Sequence, residues 1–318
     1  MTIRNLHLII LCVLIALLTG CKNHKPSFDP NKPTVSVTIE PFRYFVEQVA
    51  GDEFNINVMV PQGSNPETYE PTPQQMVELS HSVLYFKVGQ IGFEKTWMEK
   101  LHKNAPKMKI VDTSEKIELD TTRTGYVDPH TWMSIDNARL IAYTIRDELS
   151  LMYPEKAKKF YKRCQDFNDY LGNLRELMTS YYFSVGKEQR QTSFVIYHPI
   201  LTYLAREYNY EQFALEDEGR EPSIQQIQKL INLAKSEEIS VLFIQKEFAN
   251  RNIQTFIKAT NIKPIEINPL SYDWSDQMLL IMRSMAKSKR SAEATLKVKK
   301  RQQAEGKKQP KKQHTEHL

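Results

Sequence analysis

Short runs of β-branched and aromatic residues alternate with longer amphipathic stretches in the first half of the chain. The strand-like runs lie at 35–39, 54–60, 83–88 and 108–112, and the helix-like stretches at 41–50, 73–80 and 92–103. A regular alternation of strand and helix is typical of a parallel sheet covered by helices. The pattern therefore predicts a doubly wound α/β lobe.

The second half repeats this architecture without a recognisable sequence repeat. Strands are predicted at 192–197, 210–215, 239–245 and 264–267, and helices near 200–208, 223–236 and 250–259. The predicted fold class is therefore α/β, with two doubly wound lobes.

A long helical stretch, 154–183, separates the two halves. Pro154 suits the first turn of a helix, where its missing N–H is not needed. Apolar residues then recur at spacings of three and four and form one face: Phe160, Cys164, Phe167, Leu171, Leu174 and Met178. At ~1.5 Å per residue the helix would be about 45 Å long. It is either a long helix within one domain or a rigid strut between two lobes, and its central position favours the strut.

Domain boundaries follow from these patterns. The predicted parts are a signal peptide (1–20), a polar tether (21–33), an N-terminal lobe (34–153), a connecting helix (154–186), a C-terminal lobe (187–286) and a basic, disordered tail (287–318). The tail carries eleven Lys and Arg against three Asp and Glu, whereas the chain as a whole has a net charge of +5. The rest of the chain is mildly acidic, which argues against a nucleic-acid-binding protein.

The N-terminus is typical of a targeting segment. Arg4 precedes an apolar run, 8–18, that is too short to span a membrane as a helix. The following LTGC, residues 18–21, resembles the lipobox of bacterial lipoproteins, which implies cleavage before Cys21 and lipidation of its thiol. The alternative is an ordinary cleaved signal with a chance cysteine. Only Cys164 would then remain unmodified, so no internal disulfide is expected.

Candidate metal ligands follow several predicted strands. Glu67 comes after the second strand, His130 after the fourth and His198 after the fifth. Ligands of open α/β sheets bind beyond the carboxyl ends of the strands. A mixture of imidazole and carboxylate suits Zn²⁺ or Mn²⁺. The sequence therefore predicts a divalent metal site between the lobes.

Five motifs carry a family resemblance: VMVPQGSNPETYEPTP, DPHTWMSIDNAR, YHPILTYLAREY, EGREPS and INPLSYDW. Over about residues 34–285 the chain resembles the periplasmic solute-binding lipoproteins of zinc/manganese ABC importers, in the cluster with a rigid interlobe helix. The resemblance implies that His130 and His198 are ligands. It also exposes two departures, because Glu67 stands where most members have histidine and Asn268 where the family usually has aspartate.

The fourth ligand is left open by the sequence. Asn268 offers a weak amide oxygen, and Asp273, Gln245 or a water molecule are the alternatives. Asp128 would either support the His130 imidazole or cap its loop, and the cap is slightly preferred. Histidine at position 67 is expected to preserve binding and to shift preference towards zinc.

The expected function is high-affinity capture of Zn²⁺, or next Mn²⁺, and delivery to an ABC permease. No nucleotide-binding motif is present, so the ATPase would be a separate subunit. The protein is expected to be a non-enzymatic, extracytoplasmic monomer, anchored to the membrane through Cys21 and free of nucleic acid. Two alternatives are a zinc-dependent hydrolase with Glu67 as general base, and a surface interaction lipoprotein acting through the basic tail.

Overall fold

A computed structural model describes residues 28–122, 125–216, 221–245 and 251–286 of the 318-residue chain. The predicted signal peptide, Cys21 and the tail 287–318 lie outside the described residues. Contacts divide the chain after Lys32. In the described part of the first unit, Asp29 accepts hydrogen bonds from Asn31. The second unit begins at Pro33 and contains the elements below.

The first half forms a parallel sheet with alternating helices. The strands are β1 (Thr34–Val37), β2 (Asn55–Val58), β3 (Ser82–Lys87) and β4 (Lys109–Asp112). The helices between them are α1 (Glu40–Ala50), α2 (Pro73–Ser80) and α3 (Gly92–Asn104). All pairings are parallel, in the order β2-β1-β3-β4. The predicted doubly wound arrangement is confirmed.

Local sequence signals explain where helix α2 begins. Pro73 occupies the first turn of α2, and the Thr72 side chain accepts a hydrogen bond from the backbone N–H of Gln75. The Gln75 side chain in turn accepts from the backbone N–H of Thr72, which completes a capping box. The Pro-rich loop before α2 therefore ends at a defined point.

One helix in the first half was not predicted. Helix α4 (Ile135–Met152) begins after Ser134, whose side chain accepts from the backbone N–H of Asn137. Its buried face includes Ile141, Ile145 and Leu149, at spacings of four. The helical periodicity is therefore present in the sequence of this segment.

The long helix is confirmed. Helix α5 (Ala157–Phe183) follows a short 3₁₀ turn, Pro154–Lys156. The six apolar positions of the predicted stripe are all buried. Its 27 residues span about 40 Å at ~1.5 Å per residue.

The second half repeats the sheet of the first. The strands are β5 (Ser193–Ile196), β6 (Glu211–Ala214), β7 (Leu242–Gln245) and β8 (Pro264–Ile267). The helices are α6 (Thr202–Glu207), α7 (Ile224–Ser236), α8 (Arg251–Thr260) and α9 (Trp274–Met285). The parallel order is β6-β5-β7-β8, which matches the first sheet strand for strand. Among the described residues, no helix is both long enough and apolar enough to cross a membrane.

The long helix joins both halves. It packs against α1 and α4 of the first half and against α9 of the second. One hydrophobic cluster contains residues of all four helices and of both sheets. The predicted role of a joining helix is therefore supported by packing, whereas the exact domain boundaries stay a prediction.

Both sheets change winding direction beside their first strand. In the first sheet the point of change lies between β1 and β3, and in the second between β5 and β7. A parallel sheet opens a crevice at this point, beyond the carboxyl ends of the strands. Of the side chains described next, His198 follows β5 and Gln245 ends β7. Glu67 follows the neighbouring strand β2, and His130 follows β4.

Candidate metal centre

A small cavity brings together residues from both halves of the chain. Its volume is about 30 Å³, the size of one ion or water molecule. Four of the predicted ligand candidates line it: Glu67, His130, His198 and Gln245. The remaining lining residues are Ser64, Asn65, Pro66, Trp132, Ile200, Pro269 and Leu270.

His130 is held by Asp128 in two ways. The Oδ1 atom of Asp128 accepts a hydrogen bond from the His130 backbone N–H at 2.8 Å and lies 2.6 Å from its ring Nδ1. The two roles considered for Asp128 are therefore both present. Burial opposes ionisation of Asp128, but the contact with His130 and the hydrogen bonds outweigh it and lower the pKa of this carboxyl.

His198 has a similar carboxylate partner that the sequence analysis did not identify. Its Nδ1 lies 3.3 Å from Oε1 of Glu216, a residue only 5% exposed. The side-chain amide of Gln245 donates to the His198 carbonyl at 3.0 Å and accepts from its N–H at 3.4 Å. Glu216 directly follows the predicted strand 210–215, and that strand-end position was the available signal.

The two imidazoles face each other across the cavity. Their Nε2 atoms are 3.2 Å apart, and each ring has a carboxylate at Nδ1. A carboxylate at Nδ1 favours the tautomer with the proton on that nitrogen. In that tautomer both Nε2 atoms carry a lone pair towards the cavity, and a cation bound there would be stabilised by both. Two nitrogens bound at ~2.0–2.1 Å to a tetrahedral Zn²⁺ would be about 3.3 Å apart.

Glu67 approaches the cavity from the Pro-rich loop. Its backbone N–H donates to Oδ1 of Asn65 at 2.9 Å, which shapes the turn. One carboxylate oxygen, Oε2, accepts from the backbone N–H of Gly92 at 2.9 Å. The other oxygen, Oε1, is buried and has no hydrogen-bond partner among the residues that the structure describes. A buried, unpartnered carboxylate oxygen is costly, and a bound cation would satisfy it.

Two of the predicted candidates for a fourth ligand, Asn268 and Asp273, lie outside the cavity. Oδ1 of Asn268 accepts from the backbone N–H of Leu270 at 3.2 Å. Asp273 is exposed at the start of α9, and its backbone N–H donates to Ser271. Neither side chain lines the cavity, so among these candidates Gln245 lies nearest to the histidines.

Glu67, His130 and His198 do not form a complete metal-coordination shell in this arrangement of side chains. Within the described part of the chain, no three His, Cys, Asp or Glu side chains are grouped closely enough to hold a metal ion. The histidine pair already has a ligand-like separation, whereas Glu67 lines the same cavity and is fixed by Gly92. Coordination by all three therefore requires the Glu67 side chain to move closer to the imidazoles.

Two indoles connect the loops on either side of the cavity. Nε1 of Trp132 donates to the Pro269 carbonyl, and Nε1 of Trp274 donates to the Trp132 carbonyl, both at 2.9 Å. The Tyr203 hydroxyl donates to the Asp128 carbonyl at 2.7 Å. These bonds are buried and fix the loop that carries His130.

Comparisons with known proteins assign the chain to a family. The family model for the zinc-uptake complex component A periplasmic protein, ZnuA, matches residues 35–291. The chain belongs to this family. The ZnuA family model thus covers every described element from β1 to α9 and both histidines of the cavity.

Curated relatives of this ZnuA-family chain include three streptococcal and lactococcal lipoproteins. The zinc-binding lipoprotein AdcA of Streptococcus pneumoniae is 26% identical over 84% of this chain and 55% of its own length. The chain thus spans about half the length of AdcA. The metal ABC transporter substrate-binding lipoprotein SsaB of Streptococcus sanguinis is 26% identical over 84% of this chain and 90% of its own. A lipoprotein of the same description from Lactococcus lactis is 29% identical over 78% and 82%.

Solved structures share the ZnuA fold. A crystal structure of ZnuA is 30% identical with a TM-score of 0.76, covering 81% of this chain and 100% of the other. The solute-binding protein FpvC from Pseudomonas aeruginosa, in complex with Mn²⁺, is 23% identical with a TM-score of 0.70. It covers 80% of this chain and 97% of FpvC. The FpvC likeness supports the two-lobe fold alone.

Proposed function

We propose that this protein captures a divalent metal ion, preferably Zn²⁺ and otherwise Mn²⁺, and delivers it to an ABC-type permease. The observation that carries the proposal is the histidine pair, whose Nε2 atoms are 3.2 Å apart in a cavity of about 30 Å³. A cavity of this size fits an ion and excludes an organic substrate. The hydrolase alternative, with Glu67 as general base, is therefore not favoured by the cavity that the described residues form.

The proposed ligands are His130, His198 and Glu67. Asp128 and Glu216 would fix the orientation of the two imidazoles through their Nδ1 atoms. A water molecule or the Gln245 amide oxygen would complete the shell, since Gln245 also lines the cavity. Asn268 and Asp273 would have to give up their present positions to contribute.

The chemical types of these three ligands favour Zn²⁺ over Mn²⁺. Two imidazoles and one carboxylate form a three-ligand set that zinc binds readily with a fourth, exchangeable position. Manganese prefers a larger share of oxygen ligands. The lining residues supply few further anionic oxygens, because Glu67 is the only carboxylate among the described residues that line the cavity.

Calorimetry on the purified protein tests this proposal. After chelation, titration with Zn²⁺ should give close to one equivalent bound, and competition with Mn²⁺ should favour zinc. His130→Ala should abolish high-affinity binding. His81→Ala is the matched control, since His81 lies at the end of α2 and outside the cavity. Absence of uptake of either ion by the wild-type protein would disprove the proposed function.

We further propose an extracytoplasmic monomer tethered through lipidated Cys21, working with a permease and a separate ATPase subunit. The LTGC motif supports this, as do the several relatives described as lipoproteins. Cys21→Ser should move the protein from the membrane fraction to the soluble fraction.

Deletion of 287–318 should leave metal binding intact, and loss of all function on that deletion would favour the alternative of a surface interaction lipoprotein that acts through the basic tail.

A further inference from the structure

Glu94 is a buried carboxylate in the first turn of α3, outside the cavity, and it binds the backbone that leads into this helix. Glu94 is 3% exposed, and its Oε1 and Oε2 atoms accept the backbone N–H groups of Val88 at 2.7 Å and Gly89 at 2.8 Å. The Thr38 hydroxyl donates to Oε1 as well. All three partners are donors to the carboxylate. Glu94 therefore fixes the segment 88–94, here called the 88–94 turn, against the end of β1.

The 88–94 turn holds the Pro-rich loop in place. The backbone N–H of Gly92 donates to Oε2 of Glu67, and that of Phe93 donates to the Pro66 carbonyl, both at 2.9 Å. A Cβ atom on residue 92 would lie 2.5 Å from Oε2 and 2.7 Å from the carbonyl oxygen of Glu67. Only glycine permits this close approach, so the position of Glu67 depends on the turn.

We propose that Glu94 and Gly92 are positioning residues of the metal site. Glu94 fixes the 88–94 turn, and the turn aims the Glu67 carboxylate through the Gly92 N–H. This inference rests on the proposed function. It assigns an influence on metal affinity to a carboxylate that does not line the cavity.

The chemistry of the Gly92 N–H also specifies the residue type at position 67. A carboxylate has two acceptor oxygens, so one can take the N–H while the other binds a cation. A neutral imidazole has one lone-pair nitrogen and cannot do both. An amide that accepts the N–H through its oxygen is left with an NH₂ group towards the metal. The 88–94 turn therefore acts as a specificity element for a carboxylate ligand.

A double-mutant cycle on the full chain tests the inference. Glu94→Gln keeps one oxygen but places an NH₂ group opposite a backbone N–H, which disturbs the turn. At pH 8, competition with a fluorescent zinc chelator should show about ten-fold weaker Zn²⁺ binding, as for other residues that orient a ligand. In a Glu67→Ala background the same change should alter affinity by less than about two-fold, because the two residues act as one unit.

Two further variants separate positioning from general destabilisation. Tyr85→Phe removes a hydroxyl that lies 3.0 Å from Thr38 in the same buried cluster, but leaves the bonds from Glu94 to the turn. It should lower the unfolding midpoint while zinc affinity stays within about two-fold, because the hydrogen bonds from Val88 and Gly89 to Glu94, which fix the turn, are retained. If Glu94→Gln fails to fold, Gly92→Ala replaces it in the cycle, because the added Cβ displaces Glu67 while the hydrogen bonds from Val88 and Gly89 to Glu94 remain.

The outcomes distinguish this inference from the proposed function. Absence of Zn²⁺ binding by the wild-type protein would disprove the function itself. Normal wild-type binding with equal losses in both backgrounds, or with no loss for Glu94→Gln, would overturn the positioning role alone. Normal affinity in Glu67→Ala would overturn it too, since the turn would then have no ligand to aim.

Discussion

At the scale of single residues, the same arrangement occurs twice in the cavity. His130 has Asp128 at Nδ1, and His198 has Glu216. The first pair was visible in the sequence because the residues are two positions apart. The second is separated by 18 positions and depends on the pairing of β5 with β6, which the sequence does not specify. Ligand candidates were thus predictable from strand ends, but one of their supporting carboxylates was not.

Substitution of Glu67 tests how strictly the Gly92 N–H specifies a carboxylate. The family pattern suggested that histidine would preserve binding with a shift towards zinc. The hydrogen bond from Gly92 changes this expectation. A neutral imidazole has one acceptor nitrogen, so an imidazole that accepts the Gly92 N–H has no lone pair left for the metal ion. Glu67→His and Glu67→Ala should both weaken Zn²⁺ binding by at least about ten-fold, or about 1.4 kcal/mol. Calorimetry of the two variants side by side measures this, and wild-type affinity in Glu67→His would contradict it.

The pH dependence of stability provides a second test at this scale. Burial raises the pKa of the Glu94 carboxyl to about 7 from its ordinary 4.5. Between these values the folded state binds more protons than the unfolded state, so stability falls as pH rises through about 7. The loss would be on the order of 3 kcal/mol at ~1.4 kcal/mol per pH unit.

Urea denaturation of metal-free protein at several pH values between 4.5 and 8 measures this dependence. Glu94→Gln cannot ionise and serves as the control. The unfolding free energy of the wild type, relative to the variant, should decrease as pH rises. A constant difference over this range would show that the pKa of Glu94 is not raised by folding.

At the scale of helices and strands, periodicity predicted most of the fold. Predicted strand ends agree with the structure to within three residues, and β8 at 264–267 agrees at both ends. The missed helix α4 carries the same three- and four-residue spacing as α5. No strand separates α4 from α5, so α4 does not fit the alternation of strand and helix from which the other helices were predicted. The order of strands, by contrast, depends on pairings between distant segments and was not predictable from local patterns.

The end of α1 offers a test of how the helices pack. Gly51 caps α1 with φ +67°, a backbone conformation that favours glycine. A Cβ atom at this position would lie 1.0 Å from Nη1 of Arg163 on α5. Gly51→Ala should therefore destabilise the protein by about 1–3 kcal/mol without changing zinc affinity. Urea denaturation measures the first and calorimetry the second.

Gly186 provides the matched control for this prediction. It has φ −56°, and among the described residues, apart from its chain neighbours, none has an atom within 4 Å of a Cβ built on it. Gly186→Ala should be neutral or stabilise by up to about 1 kcal/mol, since alanine reduces the entropy of the unfolded chain. Equal effects of the two substitutions would show that neither the positive φ of Gly51 nor the close approach of Arg163 affects stability.

At the scale of the whole molecule, one hydrophobic core crosses from the first sheet to the second. It includes Val35 of β1, Phe167 of α5, Phe194 of β5 and Met278 of α9. A smaller cluster covers the other face of the second sheet, between that sheet and helices α7 and α8. Because the larger core is shared, the two halves should not unfold independently.

Denaturation with and without zinc tests this cooperativity together with the metal site. Far-ultraviolet circular dichroism and tryptophan fluorescence should give coincident urea transitions for metal-free protein. Free Zn²⁺ at 100 times Kd should then stabilise the folded state by about 2.7 kcal/mol, because the ion binds only that state. The variant His130→Ala/His198→Ala should keep the single transition and lose the zinc effect. Two separate transitions would show that the halves fold independently, and an unchanged zinc effect in this variant would place the ion elsewhere in the chain.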